Sequence, residues 1–302
     1  MISRVTEAAA LSAVTEMDCW YARKLTVYLN AYGVDYDFCQ FYHITSEEDT
    51  GESWAMLLNS TLVVCGNGKL PLAEMECFIT MHRPARVEGP TQLIGALSPA
   101  DYEYKRRTMF ALNPTDLPED FAVEEIDESP SLDTVYDILR EGFPNLIGYD
   151  LWMTDTSHLR RRGLTKQYTY RGMTTASLLF DVDNHVLVGQ VATRVAARGS
   201  GYARSFLGWL AGELKAQGKT AVLYALDVRV SFYKEIGFTP IETSSLLSRI
   251  DRVDDHFRLK AREEGSFPIV VGNEFPAFLS QLKRGTLHRK GERNSRVVPP
   301  FP

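Results

Sequence analysis

The sequence predicts a mixed α/β protein, and three observations carry that prediction. From residue 174 onward, runs with the alternating or continuously apolar character of strands exchange with runs of helical periodicity. Their order is strand, strand, glycine-rich loop, helix, strand, helix, strand, which describes a mixed sheet flanked by helices. The chain has 302 residues, 44% of them hydrophobic and 24% charged, so a sizeable core is expected, as two packed units or as one with large appendages.

Residues 5–32 read as helix, because Ala8, Ala9, Leu11 and Val14, then Trp20, Leu25, Val27 and Tyr28, recur at helical spacing before Gly33 offers a stop. Ser53 to Cys65 reads as a β-hairpin with Asn59 and Ser60 at its tip, closed by Gly66-Asn67-Gly68. Leu72 to Met81 returns to helical spacing. Two prolines and three acidic residues make 113–120 a connection and place a boundary there. The resulting division is an accessory half over 1–112, a linker over 113–120, a second unit over 121–245 and an extension over 246–302.

Ser131 is placed to cap a helix through Val135, Ile138 and Leu139, with Asp133 in its first turn. Ser177–Val182 and Val186–Thr193 form an antiparallel pair around an Asp183-Asn184 turn. Residues 203–217 form a helix with Phe206, Leu207, Leu210 and Leu214 on one face and Gly218 as its stop. Thr220–Leu226 is a buried strand, 228–236 a short helix ended by Gly237, and Phe238 opens another strand. In the extension, 267–272 reads as a short strand and 276–282 as a short helix, followed by a basic, solvated tail. Both halves share a plan of helix, hairpin and helix, a trace of degenerate duplication.

A net charge of -6 argues against nucleic acid as a partner, since phosphate-backbone binders carry a basic surplus. No segment approaches about 18 uninterrupted apolar residues, so no membrane span is expected and a cytoplasmic location is. Cys19, Cys39, Cys65 and Cys77 have no C-x-x-C spacing, and the six histidines form no ligand-spaced cluster with them. Buried free thiols and no metal are the expectation.

The chemistry concentrates between Val188 and Ala203, where a strand runs into a glycine loop that opens a helix. Helix-start amides lack intrahelical partners and sit at the positive end of the macrodipole, while glycines let backbone approach an anion closely. Arg198 and Arg204 add positive charge. Neither G-x-x-x-x-G-K-[ST] nor a post-strand G-x-G-x-x-G is present; the pattern is R-x-x-G-x-A, formed by Arg198, Gly201 and Ala203.

This pattern resembles the pyrophosphate loop of the GNAT superfamily of acyl-coenzyme A-dependent N-acyltransferases. Downstream, Ser231-Phe-Tyr233-Lys-Glu-Ile-Gly237-Phe238 is similar to that family's F-Y-x-K-x-G-F segment. The resemblance covers 121–245 and implies a GNAT-like fold there, with 1–112 as a degenerate GNAT-like half. It implies acetyl-CoA as cosubstrate, with Val191, Ala192 and Thr193 binding the pantetheine arm, and Gly199, Gly201, Tyr202 and Ala203 holding the pyrophosphate. It implies Tyr233 as the acid that protonates the departing thiolate. The acceptor is then a primary amine, small molecule or peptide, attacking the thioester directly. The alternative is a catalytically silent acyl-CoA-binding module.

Arg194-Val195 stands where the family commonly has a proline, and Asp227 replaces an asparagine. Asp155 and His158 are candidates for an acceptor pocket, although Trp152–Gly163, with Arg160, Arg161 and Arg162, reads as a solvated loop. Asp155 and Glu242 are the candidates for general base.

Overall fold

The computed structural model describes residues 1–250 apart from 48, 144 and 145. The expected strand at 267–272, helix at 276–282 and basic tail therefore lie outside the described residues. The first half runs β1 (Ile2–Val5), α1 (Ser12–Thr15), α2 (Trp20–Tyr32), β2 (Cys39–Ser46), β3 (Asp49–Leu58), β4 (Thr61–Gly66), α3 (Leu72–His82), β5 (Arg86–Glu88), α4 (Thr91–Ile94) and β6 (Tyr102–Ala111). Residues 112–122 carry no helix or strand. The second half runs β7 (Ile126–Asp127), α5 (Leu132–Gly142), α6 (Tyr149–Arg161), β8 (Lys166–Tyr170), β9 (Thr174–Val182), β10 (His185–Thr193), α7 (Tyr202–Ala216), β11 (Thr220–Leu226), α8 (Val230–Glu235) and β12 (Thr239–Arg249).

These strands form one mixed sheet in the order β1-β2-β3-β4-β5-β12-β6-β11-β10-β9-β8-β7. The order is palindromic. In each half four antiparallel strands lead through a helix into a parallel partner, β4 beside β5 and β10 beside β11. Each half then gives its last strand to the other, so that β12 pairs with β5, β6 pairs with β11, and the two exchanged strands pair with each other. The core is shared accordingly: Leu25 and Tyr28 of α2 belong to one apolar cluster with Leu159, Phe180 and Leu187 of the second half.

Local rules account for most elements. The Ser131 hydroxyl accepts from the Thr134 amide at 3.1 Å, capping α5, whose Val135, Ile138 and Leu139 are buried. Asp183 and Asn184 both have positive φ, the turn that a tight hairpin requires.

Three expectations are corrected. Residues 5–32 are not one helix: Ile2–Val5 pairs along β2, and the chain turns between α1 and α2, where Asp18 binds Arg23 at 2.7 Å. The alanine-rich periodicity before residue 16 is weaker than that distant strand pairing. Trp152–Gly163 is not a solvated loop, because it forms most of α6, with Trp152 and Leu159 buried seven residues apart on one face. Of the cysteines, Cys39 and Cys65 are buried, whereas Cys77 is exposed on α3.

Candidate active site

Strand β10 pairs with β11 only from His185–Thr220 to Val188–Leu223. Past that point its register against β9 slips between Gly189 and Ala192, and Gln190 takes a φ of +52°. A bulge of this kind bends the strand. The parallel ladder ends, and a gap opens between β10 and β11, bordered by Val191, Tyr224 and Tyr233 among others. Backbone groups of 189–193 on that side have no ladder partner on β11 and are available to a ligand.

From β10 the chain turns through Arg194–Gly201 into α7. Its first intrahelical bond runs from the Ser205 amide to the Gly201 carbonyl, 3.1 Å, so the amides of Tyr202, Ala203 and Arg204 precede the ladder. Gly199 and Gly201 hold φ of +82° and +77°, and no atom stands within 4 Å of where a Cβ would be. The backbone there favours glycine, and the space before it is open.

That space is a cleft of about 460 Å³. Val191, Ala192 and Thr193 border it from β10, and Arg198, Gly199 and Gly201 from the loop. Tyr202, Ala203 and Arg204 border it from the first turn of α7, and Tyr233 from α8. The structure thus brings together every residue nominated from the sequence for this site. It adds Phe232, the neighbour of Tyr233 in its motif, and Gly142 and Arg229, which no local pattern marked.

Arg198 also has a bracing role that its spacing did not reveal. Its guanidinium donates to the Glu141 carbonyl at 2.7 Å and to the Thr193 carbonyl at 3.3 Å. The Glu141 carboxylate in turn accepts from the Val195 amide and pairs with Arg194, which together hold its pKa below the usual range. Arg194 and Val195 therefore tie the loop to the end of α5.

Tyr233 is 7% exposed, with its ring between those of Phe110 and Phe238 at centroid distances of 5.6 and 6.2 Å. Its hydroxyl has no hydrogen-bond partner among the described residues. Burial pushes its pKa up to about 12, partly countered by Arg229, so the phenol stays protonated at neutral pH.

A chamber of about 90 Å³ lies on the far side of the gap, between α2, α6 and the central strands. Gln190 and Tyr224 border both gap and chamber, while Val191, Arg229 and Tyr233 border both gap and cleft. The gap thus shares wall residues with both the cleft and the chamber. Within the chamber wall, Glu88 lies 3.0 Å from Lys24 and 3.6 Å from Arg107. Burial opposes ionisation of Glu88, but those two cations outweigh it and lower its pKa. Arg107 also reaches the Tyr21 hydroxyl at 2.9 Å and lies 4.2 Å above the Tyr224 ring. Sequence spacing could not expose this group, whose members come from α2, β5, β6 and β11.

Asp155 lines the chamber and accepts a hydrogen bond from the Tyr32 hydroxyl. Burial raises its pKa, moderated by that bond and by His158. Glu242, the other candidate base, is exposed on β12 and does not border the chamber. Arg160 donates to the Pro130 carbonyl at 2.7 Å and Arg161 to the Ser157 carbonyl at 3.2 Å.

The first half has the equivalent junction at Gly66-Asn67-Gly68, between β4 and α3, but it is filled. A Cβ on Gly68 would stand 2.4 Å from the Gly51 carbonyl, and one on Gly66 2.4 Å from the Ser53 Cα. Backbone, not open space, faces these glycines.

Among solved structures, a GCN5-related N-acetyltransferase from Sphaerobacter thermophilus superposes with a TM-score of 0.53, covering 83% of this chain and 95% of its own at 15% identity. The chain has the GCN5-related N-acetyltransferase fold. A GNAT-family acetyltransferase from Colwellia psychrerythraea covers 82% of this chain and 99% of its own, with a TM-score of 0.48 and 15% identity. A GCN5-related N-acetyltransferase from Kribbella flavida covers 77% and 96%, with 0.47 and 13%. No protein-family model matches the chain, and no curated protein matches it in sequence. Among the described residues of this GNAT fold, no helix is long and apolar enough to cross a membrane, and no group of three or more His, Cys, Asp or Glu is arranged to hold a metal ion.

Proposed function

We propose that this chain is an N-acyltransferase that moves an acetyl or other acyl group from acyl-CoA to a primary amine in a ternary complex. What supports the reading above all is that the gap shares walls with the cleft on the α7 loop and with the chamber, and that Tyr233 borders both cleft and gap. A diphosphate suits the amides at the start of α7, the two open glycines and the charges of Arg198 and Arg204. A pantetheine arm suits the unladdered edge of β10 at Val191, Ala192 and Thr193. The thioester then falls in the gap.

In this reading the amine enters from the chamber, having lost a proton to a base, and attacks the carbonyl carbon. Backbone amides of the β10 bulge stabilise charge developing on the oxygen. As the N–C bond forms and the C–S bond breaks, the nitrogen gives up a proton and Tyr233 supplies one to the departing sulfur. Positioning carries most of the rate enhancement, since no covalent enzyme intermediate is involved.

Calorimetry with acetyl-CoA tests the proposal directly. Micromolar binding is expected for the native chain, and Arg198→Glu should abolish it by reversing the charge at the cleft and releasing the loop. An unchanged dissociation constant in that variant would remove the basis for the reading. Coenzyme A release across an amine panel separates an active transferase from a silent binding module.

A further inference from the structure

The chamber wall is polarised between the two halves. The first half contributes three cations, Lys24, Arg86 and Arg107, against the single carboxylate of Glu88. The second half contributes acceptors, the Asp155 carboxylate and the side-chain amide of Gln167. Gln167 is 1% exposed, and its Oε1 has no hydrogen-bond partner. Its orientation is fixed locally. The Thr165 hydroxyl gives its proton to the Leu178 carbonyl at 2.7 Å and can therefore only accept from Gln167 Nε2, which lies 3.0 Å away. The amide oxygen is left as a buried acceptor in a side chain that lines the chamber, and such a group is costly without a donor. Between the two polar walls stand apolar side chains, including Tyr28, Phe180 and Leu187.

Resting on the transferase reading, we infer that the acceptor is a small amine that also carries a carboxylate and an apolar side chain, a molecule of amino-acid dimensions. Its nitrogen faces Gln167 and Asp155, and its carboxylate faces the cationic wall of the first half. A polyamine would set surplus positive charge against Lys24, Arg86 and Arg107.

The test compares L-leucine and L-phenylalanine with 3-methylbutylamine and 2-phenylethylamine, which lack only the carboxylate, and with spermidine. Coenzyme A release is read at saturating acetyl-CoA, and acetyl-CoA binding is measured separately by calorimetry. The expected result is a kcat/KM at least about tenfold higher for each carboxylated member than for its counterpart. Preference for the decarboxylated amines or spermidine overturns the inference, and so does release with none of them while acetyl-CoA binds. Failure of acetyl-CoA to bind counts instead against the transferase reading itself. Gln167→Met keeps the shape and removes the carbonyl, and it should raise KM for the amino acid about tenfold with the acetyl-CoA dissociation constant unchanged; an unaltered KM would contradict the assigned wall. If that variant does not fold, Arg86→Gln reads the opposite wall, where the discrimination within each pair should shrink and its persistence would overturn the assignment.

Discussion

The ring of Tyr32 lies flat on the imidazole of His158, with centroids 4.6 Å and planes 2° apart, while its hydroxyl holds the Asp155 carboxylate. His158 is anchored in turn, its Nε2 lying 2.9 Å from the Ala31 carbonyl and therefore carrying the proton. Two helices from opposite halves are thereby joined at the carboxylate of the chamber. Tyr32→Phe should keep the stack and lose the hydrogen bond, at a cost of about 1.5–3 kcal/mol in urea unfolding, because the acceptor is charged. An unchanged unfolding midpoint would show that the bond contributes nothing.

Asp155 predicts a pH dependence of stability. Its folded pKa is raised above the ordinary 3.8, chiefly by burial. The native state therefore holds its proton more tightly than the unfolded chain does, so this contribution is greatest below pH 3.8 and is lost as pH rises through the folded value. Asp155→Asn should melt at a higher temperature than the native protein at pH 7, with the difference closing in acid. A gap that widens on acidification would contradict the assignment.

Glu88 has the opposite sign. Its folded pKa is depressed below 4.5 to about 2, so its contribution is present above pH 4.5 and is lost as pH falls through the folded value. Glu88→Gln leaves the buried Arg107 and the half-buried Lys24 without their counterion and should cost about 3–5 kcal/mol at pH 7. Denaturant titration should find that deficit shrinking in acid, and a deficit constant with pH would point to packing rather than charge.

Tyr233→Phe retains the rings packed on Phe110 and Phe238 and removes only a hydroxyl without a protein partner. Melting temperature and acetyl-CoA affinity should stay as they are, while kcat falls by about 10²–10⁴. A kcat within a factor of two of native would take the acid role away from this residue.

The cleft was legible in the sequence because its parts are local. Arg198, Gly201 and Ala203 span one loop and helix turn, and Tyr233 follows after a single helix and strand. The chamber was not legible. Lys24, Glu88, Arg107, Asp155 and Gln167 have no fixed spacing, and only the exchange of β6 and β12 brings their elements together. Asp155 was noticed but misplaced, since the arginines at 160–162 gave its segment the look of exposed loop and hid the buried face formed by Trp152 and Leu159. The bulge at Gln190, with its positive φ in a non-glycine residue, follows from tertiary strain and not from any residue preference.

The pairing of Tyr102 with Arg249 at the middle of the sheet joins segments made far apart in time. A ribosome releases β5 and β6 well before it finishes β12, and throughout that interval both strands have a bare ladder edge awaiting the last one. Closure of the sheet in this chain therefore has to wait for its late-emerging insert, and until then the two bare edges are where pairing with other extended segments is expected.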